Sequence, residues 1–378
     1  MEAFDPDLIL ALARQQAGPF YLYDVARLRH ACRAFQALPW APLRVCFATM
    51  ANAHPTFLTV VREEGLGVFV NTVGHLDAVL GAGFAAGQVT FAASGMSEDA
   101  MRRVRRAGVA VNLDSMGQVA RWRALFPGQS FGLRCDVGGR VEARRTRAGF
   151  FLGPESRLGL GEEELHALGG ASDVAGLHLY AGTDILDLGY FEACYDALCG
   201  FAGLFPAITH LDLGGGFGVP GPGERAFDLD AYGALVRGTM ERASAAAGRR
   251  LTLVLEPGRI VGAEAAVFVC RVSDVKRRAG RQLVGVEASS AQFPRPLLYP
   301  DSARHPVRVL PADGRPLDGA RPSRVFGCST YSRDFLAHEA DLPEVRPGDL
   351  LIFGQAGAYC ASLHTRFLGF PPAAEIFQ

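Results

Sequence analysis

Between about residue 40 and residue 260 the chain alternates short apolar runs with longer amphipathic stretches. The runs at Leu43–Ala48, Gly67–Asn71, Val89–Ala92, Val109–Leu113, Phe131–Cys135, Val174–Tyr180, His210–Leu213 and Leu251–Glu256 read as strands. Between them, Thr56–Glu64, Gly74–Gly81, Glu98–Arg106 and Asp230–Ala246 carry apolar residues at helical spacing. Repeated β/α units filling about 220 residues match the size of a (β/α)8 barrel. A doubly wound open sheet shows the same alternation, so periodicity leaves both open.

After Gly262 the texture changes. Val267–Val275, Gln282–Val286, Pro306–Leu310, Arg324–Gly327 and Asp349–Gly354 are β-like runs separated by proline, glycine and charged turns, with little helix. They predict a second, mainly β domain, which the N-terminal run Gly18–Tyr23 is placed to join as a strand. No internal repeat, linker or low-complexity segment interrupts the pattern.

At 378 residues the chain is long enough for one large α/β domain with a smaller partner. A formal net charge of −1 gives no reason to expect nucleic acid or an anionic membrane surface as a partner. No apolar run is long enough to cross a bilayer, and Glu2, Asp5, Asp7 and Arg14 argue against a signal peptide, so a cytoplasmic location is expected. The eight cysteines contain no Cys-x-x-Cys pair and read as scattered thiols. Lys276 is the only lysine among 38 basic residues.

Candidate chemistry gathers at the ends of the last two barrel strands. Leu211-Asp212-Leu213-Gly214-Gly215-Gly216-Phe217-Gly218 follows the seventh strand. Three successive glycines let backbone N–H groups approach an anion, and barrel phosphate sites are commonly built there, although a tight turn alone would also use them. Glu256 and Arg259, in Leu255-Glu256-Pro257-Gly258-Arg259, end the eighth strand. A guanidinium suits a phosphate, and a carboxylate suits a protonated pyridine nitrogen. In the β domain, Ala356-Gly357-Ala358-Tyr359 adds a phenol.

Together with Cys46-Phe47-Ala48-Thr49-Met50-Ala51-Asn52, Tyr23-Asp24, Ser156-Arg157-Leu158-Gly159-Leu160 and Arg295-Pro296, these motifs make the whole chain similar to the fold-type III pyridoxal-phosphate decarboxylases. That is the family of ornithine and diaminopimelate decarboxylases, with an alanine-racemase-type barrel. The resemblance implies a barrel over residues 28–262 and a β domain made of 1–27 and 263–378. It implies pyridoxal 5'-phosphate as cofactor, a homodimer, and Gly214, Gly215, Gly216, Arg259 and Tyr359 as phosphate ligands. Glu256 then matches the carboxylate under the pyridine nitrogen, and Thr183 stands where the family has a phosphate-contacting serine.

The reacting end departs from the family's pattern. Met50 stands where the family has the lysine that forms a Schiff base with the cofactor. Tyr180 replaces a ring-stacking histidine, a mild change because a phenol also stacks. In Gly327-Cys328-Ser329-Thr330-Tyr331-Ser332-Arg333-Asp334, Thr330 occupies the catalytic cysteine's place and Tyr331 that of the substrate-binding acid. A threonine hydroxyl is a far weaker acid than a thiol, and Tyr331 supplies no charge for a distal amine. Cys328, two residues upstream, substitutes only if the loop shifts. Lys276 reads as a solvated turn lysine. His54, His75, His178 and His364 fall near the barrel mouth without metal-ligand spacing, so no metal is expected. His178 is placed on a barrel strand among the cofactor-side residues, hydrogen-bonded within the core.

The expected function is a divergent, decarboxylase-like protein. It holds pyridoxal phosphate or a related phosphorylated ligand non-covalently and acts on an amino-acid-like substrate in specialised biosynthesis. The alternative is an inactive pseudoenzyme that pairs with an active paralogue. An engineered lysine-to-methionine change in an active enzyme is a third reading, which the further departures at Thr330 and Tyr331 disfavour.

Overall fold

The computed structural model describes residues 4–142, 151–221 and 223–378. They form two compact units, one of residues 29–220 with 225–260 and one of residues 1–28, 221–224 and 261–378. Strand β1 (Phe20–Tyr23) belongs to the second unit.

The first unit is a closed barrel of eight parallel strands. In chain order they are β2 (Leu43–Ala48), β3 (Gly67–Val70), β4 (Val89–Ala92), β5 (Ala110–Leu113), β6 (Phe131–Cys135), β7 (Val174–Leu179), β8 (His210–Asp212) and β9 (Thr252–Leu255). Pairing of β2 with β9, with Val45 opposite Leu255, closes the ring and rules out the open-sheet alternative. All eight sequence-predicted strands are present, trimmed by a residue or so at their ends.

Helices start where short polar side chains meet free backbone N–H groups. Asp187 caps Leu188–Cys199, and Asp228 caps Leu229–Ala246 through the Ala231 N–H. These two helices carry Phe191, Tyr195 and Tyr232 inward, where the Tyr195 and Tyr232 hydroxyls bond at 3.0 Å. Phe217, which follows the glycine run, lies in the same cluster, with ring centroids 5.4 Å from Phe191, 5.1 Å from Tyr232 and 5.1 Å from Phe35. Aromatic burial therefore anchors the far side of the Gly-Gly-Gly loop.

The second unit is a mostly antiparallel sheet in the order β12 (Val307–Leu310), β15 (Leu350–Phe353), β10 (Ala266–Arg278), β11 (Arg281–Val286), β13 (Arg321–Phe326), β14 (Phe335–Leu342). Strand β1 pairs antiparallel with β10 and parallel with β16 (Ala374–Phe377). The fold class is thus a (β/α)8 barrel plus a mainly β unit that takes the N-terminal strand.

Two strands escape the hydrophobic pattern. In β14, His338, Glu339 and Asp341 mask an alternation whose buried members are Leu336 and Leu342. The other, β16, is a short edge strand following a Pro-Pro pair. Lys276 is corrected too: it lies on β10, while the turn is Ala279–Gly280, both at positive φ. It is solvent-exposed, 3.5 Å from Asp274 and over the Phe326 ring. Among the described residues no helix is long and apolar enough to cross a membrane.

Since Phe217 is buried in the cluster behind the loop, Phe217→Ala is expected to cost about 3–5 kcal/mol. Denaturant titration of the barrel's transition checks this.

Candidate active site

The C-terminal ends of the barrel strands bring together residues far apart in sequence, as the parallel arrangement requires. After β8, Gly214 and Gly216 sit at φ +69° and +97°. A Cβ on Gly214 would lie 2.0 Å from the Leu179 carbonyl oxygen, on Gly215 2.2 Å from that of Glu256, and on Gly216 2.5 Å from that of Gly182. The glycines are therefore demanded by the meeting of three strand ends. That tight turn leaves the N–H groups of Gly215 and Gly216 without an acceptor among the described residues. Adjacent backbone N–H groups left open in a turn can bind anions.

Arg259 lies beside the same loop, its Nη1 donating to Asp184 Oδ1 at 2.6 Å and to the Val219 carbonyl at 3.4 Å. Asp184 holds φ +53°, unusual for a residue with a side chain, next to half-buried Thr183. The guanidinium, Thr183 and the open N–H groups thus belong to one end of the barrel mouth.

The other end is acidic and dry. His178 on β7, Asp212 on β8 and Glu256 after β9 are all buried, with one ligand-type atom of each within 4.8 Å of the others. His178 Nε2 stands 3.4 Å from Glu256 Oε2. Even so, neither His178 nitrogen has a hydrogen-bond partner among the described residues. The expectation of a hydrogen-bonded core histidine is therefore corrected: the ring packs against Phe69, centroids 5.9 Å apart. Burial pushes His178 down to about 4, so it is neutral at physiological pH. Burial pushes Glu256 up to about 8, and burial next to Glu256 raises Asp212 well above the carboxylate range. Two carboxyls buried this close to each other do not ionise together, so burial keeps at least one of them protonated. With His178 neutral beside them, the three side chains carry at most one negative charge.

Spacing rules overlooked the cluster because its members come from separate strands. Asp212, though inside a quoted motif, received no role. Arg134 was missed as well, and its signal was a lone charge in the apolar run Phe131–Cys135. It lies 3.4 Å from Asp114, and its guanidinium sits 5.2 Å from the Tyr180 ring centroid. The Tyr180 ring also takes the Phe151 ring edge-on at 4.8 Å.

Met50 follows β2 and packs on Cys46, Ala48, Phe69, Ala92 and Val254. The position is apolar, and methionine's unbranched thioether suits an irregular gap.

The remaining candidates lie in the β unit. Thr330 is exposed, and Tyr331 is half-buried with its hydroxyl accepting from Arg333 Nε at 2.8 Å and its ring 5.3 Å from Phe367. Buried Asp334 pins their loop, accepting from Ser289 Oγ at 3.1 Å, Ser290 N at 2.6 Å and Ser329 Oγ at 2.5 Å. Moving exposed Cys328 into the threonine's place means breaking this network, at about 1 kcal/mol per bond or more. Tyr359 is half-buried at φ +54°, and Gln355 shares that left-handed conformation at +55°.

Residues 25–263 match the family described as pyridoxal-dependent decarboxylase, pyridoxal binding domain. Diaminopimelate decarboxylase of Pseudomonas aeruginosa is 31% identical, over 99% of this chain and 91% of its own length. That of Actinosynnema pretiosum is 32% identical, over 97% and 85%. A diaminopimelate decarboxylase crystal structure superposes with a TM-score of 0.88 at 25% identity, covering 99% of this chain and 91% of that one. In fold alone, the chain is similar to Vibrio vulnificus lysine/ornithine decarboxylase complexed with putrescine, with a TM-score of 0.84, 21% identity and coverage of 100% and 99%.

The raised Glu256 pKa has a sign that can be measured. The folded state binds this proton more tightly than the unfolded state, so ionisation costs stability progressively from pH ~4.5 to the folded value of about 8. Glu256→Gln removes that cost. In ligand-free protein it is expected to raise unfolding stability by on the order of a few kcal/mol above pH 8 and by little near pH 4.5. Urea titrations at the two pH values check it.

Proposed function

The chain belongs to the pyridoxal-dependent decarboxylase family, and on that premise we propose that it binds pyridoxal 5'-phosphate without a covalent bond. It then acts on an amino-acid-like substrate in a specialised biosynthetic pathway. The observation that carries this reading is the pairing of open Gly215 and Gly216 N–H groups with a buried Glu256 in a mouth whose lysine position is methionine.

Each residue's part follows from its chemistry. Gly214, Gly215 and Gly216 hold the phosphate through backbone N–H groups, and Arg259 balances its charge. Thr183 is assigned to the same phosphate as a hydroxyl donor, and Tyr359, in the β unit, resembles the family's phosphate-binding tyrosine. Glu256 faces the ring nitrogen and keeps it protonated, and His178 and Tyr180 flank the ring. Bound there, the pyridinium supplies an electron sink for the substrate's α-carbon.

Met50 excludes water from the reacting face and offers no amine, so binding rests on phosphate and ring contacts alone. Thr330 holds a hydroxyl proton too weakly acidic to replace a thiol, which predicts slow or single turnover. Tyr331 brings no carboxylate, which disfavours a basic diamino acid as substrate.

A second reading is an inactive partner of an active paralogue. It is favoured by the joint loss at Met50, Thr330 and Tyr331, and by the network that holds Cys328 out of the threonine's place. It predicts a stable complex with that paralogue and no product from any amino acid.

The test is equilibrium binding of pyridoxal phosphate, followed by absorbance. Wild type is expected to bind reversibly, and Arg259→Ala to weaken binding about tenfold or more, as expected for loss of a charged hydrogen bond. Met50→Lys is expected to convert reversible binding to a borohydride-fixed adduct at residue 50. Absence of binding by wild type contradicts the reading.

A further inference from the structure

His178, Asp212 and Glu256 come from three neighbouring strands, and strand register sets them on one face. His178 on β7 pairs with Asp212 on β8, so their side chains leave the sheet on the same side. Asp212 pairs in turn with Val254 on β9. Glu256 lies two residues beyond Val254, and the strand's alternation brings it to that side as well. The three are 0%, 1% and 6% exposed.

Their polar atoms are under-used. Both ring nitrogens of His178 and Oε1 of Glu256 are buried without a hydrogen-bond partner among the described residues. Buried polar atoms are nearly always paired, so three unpaired ones in a single cluster point to a ligand. Asp212 accepts from the Gly214 N–H at 3.0 Å, the kind of support that orients a ligating carboxylate. His178 Nε2 is 3.4 Å from Glu256 Oε2, and one ligand-type atom of each residue lies within 4.8 Å of the others. A cation with bonds of about 2.1 Å at tetrahedral angles separates two of its ligands by about 3.4 Å. The histidine and glutamate already span one edge of such a site, and rotation of the Asp212 carboxylate closes it. A water molecule also fills polar gaps, but it brings no positive charge to two buried acids.

We propose that His178, Asp212 and Glu256 are the three protein ligands of a divalent transition-metal ion of the zinc class. One imidazole and two carboxylates suit such an ion, and three ligands leave a fourth position for water, as in catalytic zinc sites. The ion takes the place of the proton that burial otherwise keeps on the acids, and at least one proton leaves to solvent. Spacing along the chain predicts no metal here, because each ligand is carried by a separate strand. A divalent cation and a protonated ring nitrogen repel each other strongly at one buried carboxylate. The ion and pyridoxal phosphate are therefore alternative occupants, and the inference does not rest on the pyridoxal-phosphate reading.

The test is titration of the full chain with cobalt(II), after removal of metals by a chelator and without pyridoxal phosphate. Visible absorbance and equilibrium dialysis with elemental analysis follow the binding. Wild type is expected to bind one equivalent, with a dissociation constant on the order of micromolar or tighter, and zinc to displace it. His178→Ala and Glu256→Gln are expected to weaken binding about a hundredfold. Asp212→Asn, which keeps an acceptor for Gly214, is expected to weaken it about tenfold or more. If His178→Ala does not fold, His178→Phe replaces it and keeps a ring against Phe69. The exposed pair His166 and Glu162, 3.6 Å apart, serves as control, and His166→Ala is expected to leave binding unchanged.

Wild type that binds no cobalt overturns the proposal. So does binding that the three site substitutions leave unchanged, or that His166→Ala abolishes, since either outcome makes the ion an adventitious one. Binding that falls with His178 and Glu256 but not with Asp212→Asn overturns the three-ligand assignment.

Discussion

Everything at the barrel mouth depends on how closely three strand ends approach one another. The turn after β8 runs so near the Leu179, Gly182 and Glu256 carbonyls that none of its three glycines can carry a side chain. A Cβ there meets backbone oxygen, which cannot rotate away, so the penalty is a shift of the barrel's own strands. The Gly215 and Gly216 N–H groups in this turn find no acceptor among the described residues. Phe217, locked among Phe35, Phe191 and Tyr232, holds the turn from behind. The geometry of the glycine turn is in this sense a by-product of closing the barrel.

Positions around the barrel mouth differ in how tightly the fold constrains them. The glycine turn is fixed by its main chain, and Asp212 and Glu256 are deeply buried. Met50, by contrast, sits on an apolar patch of Cys46, Ala48, Phe69, Ala92 and Val254, where a thioether is at least as comfortable as an ammonium. Thr330 is exposed in a loop whose conformation is set by Asp334, so its side chain changes without cost to the fold. Met50 and Thr330 are therefore positions that exchange easily without cost to the fold.

Most of the barrel's strands were legible in the sequence as apolar runs such as Val89–Ala92, but their closure into a ring was not, since an open sheet gives the same alternation. The β unit was less so. Strand β14 puts His338, Glu339 and Asp341 among its apolar positions and lost its pattern to them. Gly214–Gly216, Glu256 and Arg259 were visible as contiguous motifs. Asp212 and Arg134 were not assigned, because their meaning lies in neighbours on other strands that no local spacing reveals. His178 was placed on the right strand and given the wrong environment, since a sequence shows burial more readily than it shows an unfilled hydrogen bond.

The central claim is that this mouth holds pyridoxal phosphate without a covalent bond. Mass spectrometry of the protein incubated with pyridoxal phosphate, in native and then in denaturing solvent after borohydride, tests it most directly. The account predicts one cofactor mass per chain in the native spectrum and none after denaturation. A cofactor mass that persists on the denatured chain, at Lys276 or any other residue, would contradict it, and so would a native spectrum with no cofactor at all.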